Sequence, residues 1–338
     1  METHAMFAAA PLRDRMYESF YLRAVSPEEP VGVWIRYTVR KPAGLEPTGS
    51  LWCTVFDARR GRPFMHKLAG EQVRVPGDGW IAVGDGTIGP DRASGECGPA
   101  RWSLRFACHQ PPLRHLSPAW LYRAPLPRTK LTSPEPAASF DGTVELPGRD
   151  AIELRGWPGM VGHNWGAEHA ERWVWLHGTA FADAPEAWLD VALGRVLLAG
   201  RMTPWVANGA LYVNGRRHRI GGLTARGTRV TAGPDGCSLA LTSAGGVSLR
   251  ARVHVPSQSA AGWRYADPDG DAGSGSHGGE HDVINCSVAA VELDVTRPQG
   301  GPLALRSEHG GAYELGMRTR PGTGEPDHGV PIAPFPAS

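Results

Sequence analysis

Apolar and polar residues alternate along many short runs of the chain, which is the pattern of β-strands with two different faces. In Val33–Val39 the odd positions are all apolar, whereas the even positions are Trp, Arg and Thr. Val247–Val255 alternates in the same way. Pro185–Gly200 is the nearest candidate for a helix, but its apolar residues hold no helical stripe, so it is predicted as strand. Further strands are predicted at Ser50–Asp57, Trp102–Cys108, Trp173–Ala182, Cys237–Thr242 and Val283–Val295.

Turn signals divide these runs. Asn214-Gly215 lies between strand-like flanks and predicts a tight hairpin. Pro111–Pro136 contains many prolines and is predicted as a long connection, with one helical turn near Leu113–Leu116. Asp267–Asp282 is predicted to be a mobile loop. The pattern therefore predicts an all-β protein of two barrel-like units, with domains at 1–160 and 161–320 and a disordered tail at 321–338.

Composition supports a folded protein despite 44 Gly and 30 Pro, because 12 Trp need apolar surface to pack against. The formal net charge of +1 argues against a general nucleic-acid binder. The five cysteines include no pair with zinc-clip spacing and suggest a reducing compartment. With no signal-like or membrane-spanning run, we predict a cytoplasmic protein without a membrane span, for which transient membrane contact remains open.

The densest chemical cluster occupies residues 156–178, which hold four Trp, three His, two Glu and one Asn. On a strand, Trp173, Trp175 and His177 share one face, which suits the wall of a cavity. Gly162 and Gly166 suggest a bend that aims the residues between them at the same place. Plain core packing is the alternative for the tryptophans. The three histidines lie six and eight residues apart, which matches no standard metal pattern, so no metal is predicted.

The Gly-His-Asn-Trp-Gly run at 162–166, followed by Trp173-x-Trp175, resembles a signature of the lipocalin-like superfamily of carotenoid 1,2-hydratase, tocopherol cyclase and the decalin-forming Diels–Alderases. Tyr17–Arg23 and Gly32–Tyr37 also resemble the opening strands of such proteins, and the resemblance spans roughly residues 16–318. It implies two lipocalin-like antiparallel β-barrels packed together. It also implies hydrophobic polyene or prenylated ligands handled without a cofactor.

These features lead to a functional hypothesis: a cofactor-independent hydratase, cyclase or isomerase that protonates an isoprenoid- or polyene-like small molecule in an aromatic-lined cavity near the barrel interface. A Glu in an apolar pocket would have a raised pKa and suit a general acid. The predicted catalytic residues are Asn164, Glu168, His169 and His177. The predicted ligand-binding residues are Trp34, Arg36, His163, Trp165, Trp173, Trp175 and Asp190.

Two alternatives remain at this stage: a non-catalytic carrier of a hydrophobic ligand, and a structural protein with filled barrels. The partner of this chain is expected to be a hydrophobic small molecule, not nucleic acid, and the protein to be a monomer or homodimer. Trp263, Tyr265, His254 and Asn285 are interpreted as structural, with a second cavity as the alternative. Arg36 faces either solvent or the interior, where it could pair with Glu168 or a ligand carboxylate.

Overall fold

The computed structural model describes residues 2–243, 245–268 and 279–318 of the chain. Across these residues it contains 24 β-strands, two short 3-10 helices at Phe7–Ala9 and Ala119–Tyr122, and no α-helix. No helix in this part of the chain is long and apolar enough to cross a membrane. The predicted tail at 321–338 and most of the loop predicted at Asp267–Asp282 lie outside the described residues.

The first sheet is built from the first twelve strands, all antiparallel, in the spatial order β4-β3-β2-β1-β12-β11-β9-β8-β7-β6-β5, with β10 pairing β11. Their bounds are β1 Met16–Val25, β2 Val31–Lys41, β3 Thr48–Asp57, β4 Phe64–Glu71, β5 Val73–Arg74, β6 Ile81–Val83, β7 Gly86–Ile88, β8 Arg92–Cys97, β9 Ala100–Cys108, β10 Leu113–Arg114, β11 Thr129–Glu145 and β12 Ile152–Gly166. This sheet curls into a nearly closed barrel.

The second sheet holds ten strands in the order β18-β17-β14-β13-β24-β23-β21-β20-β19, with β22 pairing β23; β15 and β16 form a separate hairpin. Their bounds are β13 Arg172–Gly178, β14 Trp188–Arg195, β15 Leu197–Leu198, β16 Arg201–Met202, β17 Val206–Val213, β18 Arg216–Gly221, β19 Arg229–Gly233, β20 Gly236–Thr242, β21 Ser248–His254, β22 Ala261–Ala266, β23 Glu280–Thr296 and β24 Leu303–Arg318. The chain passes from one sheet to the other between Gly166 and Arg172.

The all-β architecture of two packed lipocalin-like sheets is thus confirmed. The alternation in β2 explains how the sheets meet. Its odd residues, such as Val33 and Ile35, join the core of the first barrel. Trp34, on the opposite face, joins the core of the second sheet and packs 6.3 Å from the Trp263 ring. Strand β2 therefore forms a wall that is buried on both faces, with the second sheet against its outer side.

Two local predictions have different outcomes. The Asn-Gly hairpin is confirmed: β17 and β18 flank Asn214 and Gly215, both with positive φ. The Pro-rich connection is partly wrong, because β11 runs through Pro134 and Pro136. A proline has no N–H for the strand ladder, and the register shifts on either side of Glu135 accommodate the gap. The helical turn forms at Ala119–Tyr122 and not at Leu113–Leu116.

Candidate active site

A histidine–aspartate pair lies where the two sheets meet. His169 sits in the loop between β12 and β13, and Asp267 directly follows β22. The Nδ1 atom of His169 lies 2.6 Å from Oδ1 of Asp267, which also accepts the His169 backbone N–H at 2.9 Å. Burial alone would raise the pKa of Asp267, but the hydrogen bond and charge of His169 lower it. An ionised carboxylate therefore holds the imidazole by its Nδ1 side.

Aromatic rings enclose the His169 imidazole. The Tyr17 ring from β1 stacks on it with centroids 3.9 Å apart, and the Trp173 ring from β13 lies 5.7 Å away. The rings of Tyr265 and His281 lie 6.0 and 5.3 Å away. The site thus combines one strand of the first sheet with three elements of the second.

Several nitrogen atoms in this cluster are buried without a hydrogen bond. His169 Nε2 has no partner. Neither ring nitrogen of His281 has a partner of ordinary geometry, although the Ala170 backbone is close enough to influence its titration. Burial and the neighbouring His169 lower the pKa of His281 to about 3, so this ring stays neutral. Unpaired buried nitrogens are uncommon in proteins, so His169 Nε2 and the two His281 nitrogens each have capacity for a further partner.

Glu314 on β24 fixes the aromatic wall. Its carboxylate accepts hydrogen bonds from Trp173 Nε1 at 2.8 Å, Tyr265 Oη at 3.0 Å and Asn285 Nδ2 at 3.2 Å. Arg36 lies on the other side of the Tyr265 ring, with Cζ 4.0 Å from the ring centroid. We define the His169 cluster by its members Tyr17, Arg36, His169, Trp173, Tyr265, Asp267, His281 and Glu314.

Glu168 differs from its expected environment. Its carboxylate is not in an apolar pocket: it is ion-paired with Arg128 and with Arg318, the latter at 2.8 Å. Each oxygen of this carboxylate is therefore occupied by one guanidinium group. Arg318 also contacts Asp267 at 3.3 Å, so Glu168 and Arg318 brace the dyad.

His177, Trp175 and Asp190 form a second group, fully enclosed between the sheets. Asp190 accepts hydrogen bonds from Trp175 Nε1 at 3.0 Å and Ser133 Oγ at 2.5 Å, and His115 Nε2 lies 3.3 Å away. Burial would raise the pKa of Asp190, but the charge and hydrogen bond of His115 lower it to about 2.

His177 Nδ1 lies 3.0 Å from the Arg23 guanidinium. Burial and this positive charge lower the pKa of His177 to about 4. We call Arg23, His115, Ser133, Trp175, His177 and Asp190 the His177 network. Hydrogen bonds join Arg23 to His177, and they join His115, Ser133, Trp175 and Asp190 to one another, so both sets connect the two sheets. Arg23 Nε has no partner among the described residues.

The Gly-His-Asn-Trp-Gly run contains no bend, because β12 continues through it to Gly166. His163 and Trp165 point into the first barrel. There His163 Nε2 is hydrogen-bonded to Glu18 Oε1 at 2.7 Å, and the His163 ring stacks on the Phe20 ring with centroids 3.9 Å apart. Asn164 faces the other way, and its buried Oδ1 atom has no partner. Trp34 is core packing. Of the predicted site residues, His169, Trp173 and Arg36 therefore belong to the His169 cluster.

Sequence reasoning missed Tyr17, Asp267, His281 and Glu314 and separated Tyr265 from the site. His169, Asp267 and His281 each offer one metal-ligand atom within 4.8 Å of the others. However, Asp267 Oδ1 already binds His169 and Oδ2 binds the cationic Arg318. A bound ion would therefore have to displace these contacts.

A cavity of about 530 Å³ opens elsewhere, between β19, β20, β21 and β23, and is lined by residues such as Cys237, Arg252 and His254. In the His169 cluster, His169, Trp173 and Glu314 retain partial exposure. These three side chains mark where a ligand could approach.

Comparison with known proteins relates the chain to several others. No protein-family model matches the sequence. The uncharacterized protein Rv0493c of Mycobacterium tuberculosis is 24% identical over 257 residues, or 75% of each chain.

Three solved structures share the architecture. They are CghA (TM-score 0.59, 13% identity, 90% of this chain and 88% of the other), a Nitrosomonas europaea protein provisionally designated AttH (0.51, 15%, 90% and 93%) and kievitone hydratase from Nectria haematococca (0.51, 8%, 93% and 95%). At these identities the likeness establishes a common fold.

Proposed function

We propose that this protein is a cofactor-independent hydratase, cyclase or isomerase that protonates an isoprenoid- or polyene-like small molecule, with His169 as the proton-transfer group. The observation that carries the proposal is the different hydrogen bonding of the two His169 ring nitrogens. Nδ1 is held by Asp267 at 2.6 Å, while Nε2 is buried and unpaired. This is the arrangement of an oriented acid–base imidazole.

The chemistry follows from the neighbours of His169. The imidazolium donates the Nε2 proton to an alkene carbon, and the Asp267 carboxylate stabilises the positive charge beforehand. The electron-rich faces of Tyr17 and Trp173 then stabilise the carbocation. Water adds to the cation or an internal double bond closes a ring, and a proton returns to the imidazole. No redox step is needed.

The other predicted catalytic residues receive supporting roles in this proposal. Glu168, paired with two arginines, braces Arg318 against Asp267. His177 remains neutral in the buried network, because its pKa of about 4 leaves it unprotonated at neutral pH. Asn164 contributes an unpaired amide oxygen on the side of the wall that faces the second sheet. The shared fold of kievitone hydratase supports hydratase-type chemistry as an analogy.

Deuterium incorporation tests the proposal whichever product is formed. The protein is incubated in D₂O with farnesol, farnesoic acid and the prenylated phenol kievitone, and masses are followed for added water or carbon-bound deuterium. We expect exchange with at least one probe. His169→Gln and Asp267→Asn should slow it by about 100-fold, the usual contribution of general acid–base catalysis.

Glu145→Gln, at an exposed position of β11, is the control, because it removes a carboxylate charge without touching the His169 cluster. Equal rates in wild type and His169→Gln would contradict the assignment. Binding of these probes without exchange would favour the alternative function, a carrier of hydrophobic ligands, which the aromatic wall of Tyr17, Trp173 and Tyr265 would also serve.

A further inference from the structure

Arg36 is a buried cation in the wall between the sheets. Its side chain projects from β2 toward the second sheet, and the residue is 5% exposed. The Nε atom donates to Ser19 Oγ at 2.6 Å, and the guanidinium stacks on the Tyr265 ring at 4.0 Å. Trp52 lies farther away, at 5.9 Å. The flat guanidinium is therefore held in a defined orientation.

Arg36 lacks the anionic partner that a buried arginine normally has. Among the residues that the structure describes, no carboxylate oxygen lies within 4.0 Å of it. Arg23, on the same wall, has no described carboxylate partner either, but its terminal nitrogens donate to the Gly310 and Ser287 carbonyls at 3.0 and 2.9 Å. An arginine has five N–H donors, and of those on Arg36 only Nε–H makes a hydrogen bond of ordinary geometry to a described residue.

Glu314, which is bound to the same Tyr265 side chain, is occupied by other donors. Its carboxylate accepts from Trp173, Tyr265 and Asn285. Burial raises the pKa of Tyr265 well above its ordinary value, and the Arg36 charge opposes that rise. The phenol is thus neutral and cannot neutralise Arg36. No described carboxylate therefore balances the Arg36 charge, and an anionic ligand would do so.

Arg36 also lies close to the proposed chemistry. Its guanidinium and the His169 imidazole are within 4.0 and 6.0 Å of the same Tyr265 ring centroid. A ligand whose anionic end meets Arg36 would extend its carbon chain toward Trp173 and His169. The fork of an arginine suits two oxygens of a carboxylate better than a single hydroxyl.

We propose that Arg36 binds the carboxylate of the substrate, so that the substrates are hydrophobic acids and not neutral polyenes. This inference rests on the proposed function, since it places the anion beside the same acid–base pair. It makes Arg36 a specificity-determining residue that acts through binding and takes no part in proton transfer.

The test compares an acid with its ester. cis-Parinaric acid, a fluorescent polyene acid, and its methyl ester are titrated into the full chain. We expect wild type to bind the acid about tenfold more tightly or better, a preference of about 1.4 kcal/mol. In Arg36→Met the preference should fall to about twofold or less, while Arg36→Lys should keep part of it. Arg105→Met, on an exposed position of β9, is the matched control and should behave like wild type.

Outcomes for the two proposals are separable. His169→Gln should lose deuterium exchange and keep the preference for the acid. The inference would be overturned if wild type bound the acid and the ester equally well, or if it bound neither of them. Both results come from the wild-type protein alone and so do not depend on the folding of a variant. A preference that survives in folded Arg36→Met would overturn it too. If wild type prefers the acid but shows no deuterium exchange with any probe, the proposed function is contradicted and the anion site at Arg36 is supported.

Discussion

The two nitrogens of His169 have opposite environments, and the proposed acid–base role rests on this asymmetry. Nδ1 is bound by Asp267, whose other oxygen contacts Arg318. A divalent cation would have to displace these contacts and would lie close to the Arg318 charge. The same three side chains could therefore hold a metal only after rearrangement.

We accordingly expect Zn²⁺ or a chelator to change neither the melting temperature nor the deuterium exchange. A bound ion would stabilise the folded state according to its affinity, which differential scanning fluorimetry detects. A rise in melting temperature with Zn²⁺ that disappears in His281→Ala would contradict our assignment and establish a metal site.

The sequence predicted part of this site. His169 and Trp173 stand out because aromatic and ionisable residues are concentrated around them, and Arg36 because it alternates with apolar residues on a buried strand. Asp267 lies 98 residues from His169, and its contact arises only from the way β22, β23, β24 and β13 pair. Local spacing contains no information about such pairing, which is also why the sequence left Glu168, His169 and His177 as equal candidates for the acid.

At the scale of strands, glycines make room for the aromatic wall. Gly316 on β24 is the direct cross-strand partner of Trp173, and a methyl group there would lie 2.1 Å from the indole. Gly162 on β12 makes room for the Tyr21 ring in the same way, because a methyl group at Gly162 would lie 2.2 Å from that ring. The sequence suggested a bend at Gly162, but the structure shows that the close approach of a ring explains this glycine.

Gly316→Ala should displace the Trp173 indole and break its hydrogen bond to Glu314 Oε1. Overpacking of this kind typically costs about 1–3 kcal/mol of stability, and we expect deuterium exchange to fall with it. The measurement combines urea unfolding with the exchange assay, and Gly301→Ala, which meets no neighbouring atom, is the control. Trp173→Phe added to Gly316→Ala should recover stability but not exchange; an additive double mutant would contradict the steric explanation.

At the scale of the molecule, two buried neutral imidazoles couple stability to pH. The pKa values of His177 and His281 are lowered to about 4 and about 3, mainly by burial. Below about pH 6.5 the unfolded chain protonates both rings while the folded chain does not. Their contribution is therefore complete above that pH and is lost as the pH falls toward the folded values.

We expect the free energy of unfolding to decrease by about 1.4 kcal/mol per pH unit for each of these two histidines between pH 6 and 4.5. Urea titrations at several pH values give the slope directly. His177→Gln should reduce the slope by about 1.4 kcal/mol per pH unit, which corresponds to one proton. His254→Gln, on an exposed position of β21, should leave the slope unchanged. A pH dependence that is the same in wild type and in His177→Gln would contradict a neutral His177 ring in the folded state.

The position of the last described strand has a consequence for how the protein is made. β24 is not at an edge: it lies between β13 and β23, and it supplies Glu314 and Arg318. During synthesis, therefore, β13 and β23 each wait with one side unpaired until Leu303–Arg318 has left the ribosome. The acid–base pair acquires its supports only at that moment, and a chain that stops before Leu303 would be an inactive product with two open strand edges that favour aggregation.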